Sequence, residues 1–200
     1  AIQLSREEKE ITQTVIGMEN IRRVFYLSLI AIPTSASYFV IFLLKSGSET
    51  GVAWQWRHAI WICHAVILVS FTIIGVILYF SAIKPARNSR LALICIHSTA
   101  LILLLEGAAL AAADQLVTSN ITPYLITCLI TALVLLTPPR FAFLYYTLSY
   151  IVFYFAISLT QKDTAVLISN QINGITVAAL GICLSIILWR GYLIRVKQNR

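Results

Sequence analysis

The chain has 200 residues, of which 59% are hydrophobic and 12% charged, with a net charge of +7 and a mean hydropathy of +0.85. A soluble domain carries about 25% charged residues, and one of this size exposes too much of its surface to bury that much apolar area. A soluble enzyme, a disordered tail and a nucleic-acid module are therefore excluded, and the expected fold class is all-α, a polytopic membrane bundle.

Residues 1–23 are charged and amphipathic, with no apolar stretch suited to a cleavable signal peptide. Ser5 and Glu8 have the spacing of a capping box. Ile11, Val15 and Met18 follow at i, i+4 and i+7, which predicts a helix lying on the membrane surface or against a neighbour. Crossing about 30 Å of hydrocarbon takes about 20 apolar residues. Six runs qualify: 24–44, 59–83, 91–113, 121–137, 141–159 and 165–189. Each is bounded by a charge, a proline or an aromatic residue, among them Arg22-Arg23, Lys45, Lys84-Pro85, Asp114, Pro138-Pro139-Arg140 and Arg190. Residues 24–189 are thus expected to form a six-helix transmembrane domain. Residues 190–200 continue as a basic helix with no proline to stop it, the start of a cytoplasmic linker.

Orientation follows from Lys and Arg in the connections. Twelve lie on the side of the two termini and of the 2–3 and 4–5 connections. Three, Lys45, Arg57 and Lys162, lie on the other. Both termini are expected in the cytoplasm of a cell carrying this chain in its plasma or bacterial inner membrane. The positive charge then reads as topology and attraction to anionic lipid, not as nucleic-acid binding.

Ionisable residues inside a span are costly and mark candidate sites. His64 and Glu106 fall about 9 Å and about 6 Å outward of the midplane, and His97 about 7 Å inward. His64 and His97 are about 16 Å apart along the normal, too far to share one haem, so no cofactor is expected. Cys63, Cys95, Cys128 and Cys183 lie in apolar runs without metal spacing and read as packing residues, so no metal is expected either. The outer half also gathers Tyr124, Tyr150, Tyr154, Asn170 and Asn173. Two readings stand: hydrogen bonds between helices, or an outward pocket for a small amphipathic ligand. In the second, His64, Tyr124, Tyr154, Asn170 and Asn173 line the pocket and Glu106 lies below. Trp54, Trp56 and Trp61 form the rim in that case, or simply anchor at the headgroups.

Gly174, Ala178, Gly181 and Ser185 form a small-residue stripe on the sixth span, suited to close packing within the bundle or to a homodimer seam. No GxSxG, HExxH, P-loop or Gly-rich dinucleotide motif occurs, so no catalysis is expected from this chain.

Several segments together resemble a known family. They are Glu19-Asn20-Ile21-Arg22-Arg23; Pro138-Pro139-Arg140 followed by Leu144-Tyr145-Tyr146 and Tyr150; and Asn173-Gly174 followed by Leu184-Ser185-Ile186-Ile187-Leu188 and Arg190. The pattern is similar to the N-terminal six-helix sensor modules of bacterial membrane-bound diguanylate cyclases, which precede a GGDEF catalytic domain. No GGDEF sequence is present here, and sensor modules of histidine kinases and membrane adenylyl cyclases share the plan. The resemblance implies a homodimeric sensory input domain that passes a signal to a C-terminal cytoplasmic output domain such as a nucleotide cyclase. A small-molecule or proton-coupled transporter and a passive membrane anchor or dimerisation domain are the alternatives.

Overall fold

A computed structural model describes the backbone of residues 6–45, 50–83 and 89–198, and the side chains of residues 13–45, 50–81 and 90–198. Six helices follow one another: α1 (Arg6–Lys45), α2 (Val52–Ile83), α3 (Ser89–Asp114), α4 (Thr122–Val134), α5 (Pro139–Thr160) and α6 (Thr164–Gln198). No strand occurs among the described residues. All but α4 are long and apolar enough to cross a membrane.

Local chemistry sets several boundaries. Asp163 caps α6, its Oδ1 accepting the amides of Ala165 and Val166 at 2.9 and 3.1 Å, which supplies partners for N–H groups that a helix start leaves open. Pro123 and Pro139 sit in the first turns of α4 and α5, where a missing N–H costs nothing. Pro138 and Pro139 also bar one continuous helix from α4 into α5, because the residue before a proline is driven out of the helical region.

α3 is the hub, packing on α1, α2, α4 and α5, while α6 closes against α4 and α5. Val24, Phe71, Leu104, Tyr124, Phe153 and Ile157 are fully buried. Outward positions carry equally apolar residues, such as Ile73, Val76 and Phe80 on α2. An apolar exterior around an apolar core suits a bundle solvated by lipid, and makes this chain a membrane protein.

Three expectations change. The helix anticipated over residues 1–23 is not separate from the first span: α1 runs unbroken for 40 residues through Pro33. Of the two readings of its apolar stripe, packing against a neighbour does not hold for Val15 and Met18. Val15 and Met18 are exposed, and Ile16, Asn20, Ile21 and Val24 face inward, because α1 is gripped by the bundle rather than by a flat surface. Ser5 and the side chains of Glu8 and Ile11 lie outside the described residues. Finally, the run 121–137 does not form one helix. α4 is only 13 residues long, and residues 135–138 leave it in an extended conformation, with Leu135 at φ −97°, ψ 125° and Pro138 at φ −55°, ψ 143°.

An extended segment inside an apolar bundle leaves backbone groups that need partners. Asn20 provides them. Its Nδ2 donates to the Leu136 carbonyl at 3.0 Å, and its Oδ1 accepts the Leu136 amide at 2.9 Å. Arg23, held by Glu19 at 2.9 Å, brings its guanidinium to 3.5 Å from the carbonyls of Leu133 and Val134. The first helix thereby fastens the α4–α5 crossover.

Candidate functional site

The outer-half residues are distributed over several separate contacts. Cys63 and His64 are neighbours on α2, about 100° apart around the helix, and face different partners. The Cys63 side chain lies beside the Glu106 carboxyl. The His64 ring stacks on Tyr38 of α1 at 4.8 Å. Among the described residues, His64 and Glu106, placed at similar depth by the sequence, form no hydrogen bond or ion pair with each other. Glu106 is buried with its Oε2 unpartnered, as are Trp61 Nε1 and His64 Nδ1.

Asn170 is buried in a polar cluster. Its Nδ2 donates to Gln115 Oε1 at 2.9 Å, and the same oxygen accepts Gln161 Nε2 at 2.9 Å. Tyr124 is buried against Ser149, the hydroxyls 3.1 Å apart, with its ring stacked on Phe153 at 4.3 Å. Trp56 donates to Asp114 at 3.0 Å, and Trp54 stacks on His58 at 4.2 Å. Asn173 and Tyr154 sit on the outside of the bundle, Tyr154 being 39% exposed. Asn170 and Tyr124 therefore act as interhelical links. Asn173 and Tyr154 do not line a common interior with Glu106.

The small-residue stripe is occupied within the chain. A Cβ added at Gly174 would fall inside the Phe153 ring, and one at Gly181 inside the Tyr146 ring. Ala178 between them is buried. α5 rings fill the notches of α6, and Tyr146 is anchored there by its hydroxyl bond to the Cys128 carbonyl at 2.8 Å. The stripe serves the bundle rather than an outward seam. Cys95 and Cys128 are buried as packing residues, Cys63 is half-buried and Cys183 is exposed; none is paired.

At the opposite end of the bundle, where α1 and α3 begin and α4 ends, lies a cavity of about 710 Å³. That lies within the range of about 300–1,000 Å³ typical of small-molecule sites. Gly17 and Asn20 of α1 form one wall, and the crossover residues Leu135–Pro138 another. Arg90 and Arg140 stand in the first turns of α3 and α5 and both border the cavity, so each charge adds to a positive helix end. His97 and Tyr145 share a 2.6 Å hydrogen bond on its side. Arg140 lies over the Phe141 ring at 4.8 Å, and Trp189 brings α6 to the same space.

These residues were visible in the sequence in other guises. Arg90 and Arg140 counted as topology charges, His97 as an isolated histidine, and Asn20 and Pro138-Pro139-Arg140 as parts of a family likeness. What the sequence lacked was a signal joining them. No family model, characterised protein or solved structure shows significant similarity to this chain. Fold and site define a class, a membrane-embedded helical bundle with a basic-rimmed cavity.

Proposed function

We propose that this chain is the transmembrane input module of a signalling protein, as its resemblance to the sensor modules of membrane-bound cyclases implies. The observation that carries this reading is α6. It is a single helix of 35 residues, about 52 Å long at 1.5 Å per residue, against about 30 Å of hydrocarbon. The same rod lines the bundle with Asn170 and Gly181, borders the cavity with Trp189, and extends beyond as Arg190–Gln198. A ligand that prefers one packing of α6 against its neighbours shifts the whole rod, including its distal end.

In this reading the chain crosses six times, with both termini cytoplasmic. α4 contributes about 20 Å and the four extended residues about 13 Å more, which together complete the fourth crossing. The module works as a homodimer with α6 or α1 near the axis. Since α5 fills the inner stripe of α6, the contact uses the outward groove over Thr176, Ala179 and Cys183. In the outer half, Glu106, His64 and Trp61 retain unmet hydrogen-bonding capacity and are the groups able to read a polar ligand there.

Gly191 provides the test. An added Cβ at this position meets no atom within 4 Å. Gly191→Pro interrupts α6 beyond the bundle without touching the core and uncouples the output of the parent protein, while Gly191→Ala preserves it. Equal regulation in the two variants, or a parent gene encoding no domain beyond Arg200, overturns the reading.

A further inference from the structure

We propose that the cavity at the basic end of the bundle is a binding site for an anionic membrane lipid, with its acidic headgroup held by Arg90 and Arg140 and an acyl chain laid into the interior. Charge comes first. Two guanidiniums in the opening turns of two helices form a positive rim, and Arg binds phosphate and carboxylate through two parallel N–H donors. Both arginines belong to the end of the bundle richest in Lys and Arg, which the positive-inside rule sets beside the anionic leaflet.

The interior supplies the second half of the ligand. Ile21, Leu93, Ile96 and Phe141 are among the apolar residues that line the space, which suits a hydrocarbon chain and not a free ion. Two polar side chains on the wall are already engaged, Asn20 with Leu136 and His97 with Tyr145. The cavity is therefore polar at its rim and apolar within, the same division as in a lipid.

Gly17 is a separate observation. Glycine inside a helix is unfavourable and usually has a packing reason. At Gly107, Gly174 and Gly181 that reason is a neighbouring side chain that a Cβ would strike. Gly17 borders the cavity, and among the described residues no atom lies within 4 Å of an added Cβ. Its lack of a side chain leaves room that no described side chain fills. A leucine placed there strikes no described core atom and adds bulk to a residue of the cavity wall.

The inference is independent of the signalling reading, because binding is measured without any output. Native mass spectrometry of the purified full chain, titrated with phosphatidylglycerol, phosphatidic acid, phosphatidylcholine or inorganic phosphate, provides the test. The expected result is retention of both acidic lipids, at least tenfold weaker retention of phosphatidylcholine, and none of phosphate. Gly17→Leu and the double variant Arg90→Gln/Arg140→Gln each lower acidic-lipid affinity at least tenfold. Gly17→Leu keeps the thermal stability of the wild type, so its loss of binding is not loss of fold. Three results overturn the proposal: equal retention of phosphatidylcholine, binding of phosphate alone, or wild-type lipid affinity in Gly17→Leu.

Discussion

Replacing Asn20 by Ala removes both partners of Leu136 at once. The side chain is 5% exposed and Leu136 3%, so the freed amide and carbonyl face mostly protein. A buried polar group without a partner costs about 1–3 kcal/mol, which sets the loss for the pair at about 2–6 kcal/mol. Asn20 borders the cavity, where water can reach part of the exposed edge, so the lower half of that range applies, about 2–4 kcal/mol. At about 2–4 °C per kcal/mol for a chain of this size, thermal unfolding in detergent, followed by circular dichroism, falls by about 5–15 °C. Asn20→Asp keeps the acceptor for the Leu136 amide but loses the donor and sets an oxygen against the Leu136 carbonyl, so it is destabilised as well. Thr34→Ala is the control. Thr34 is exposed and bonds only the carbonyl of its own preceding turn, Ile30, and its melting point stays within about 2 °C of wild type. An Asn20→Ala chain that melts with the control refutes the idea that α1 fastens the crossover.

Gly181→Leu drives a side chain into the Tyr146 ring, breaking its packing and its bond to Cys128. Overpacking of this kind costs about 1–3 kcal/mol, so the same melting assay falls by several degrees, whereas Gly191→Ala leaves it unchanged or slightly higher. Glu106→Gln keeps the shape of a buried side chain whose Oε2 has no partner. Expression and melting temperature are expected within about 2 °C of wild type, while output of the parent protein is blunted. A large drop in stability would make Glu106 a structural link instead.

The sequence by itself determined the membrane class and most helix limits. Both depend on local quantities: apolar length against the hydrocarbon thickness, and the backbone limits of proline beside capping groups such as Asp163. It did not determine which way each helix faces. A span that is apolar all round carries little rotational information, since lipid and core accept the same residues. Asn170 and Asn173, one turn apart on α6, show the consequence: the first is buried against Gln115 and the second lies outside. Asn20 and Leu136 are 116 residues apart, and no periodicity links them. That one long-range pairing supplies the partners for the extended stretch at residues 135–138, beside which the cavity lies. An extended backbone persists in an apolar setting only where another helix supplies its hydrogen bonds, and only the tertiary structure brings that helix into reach.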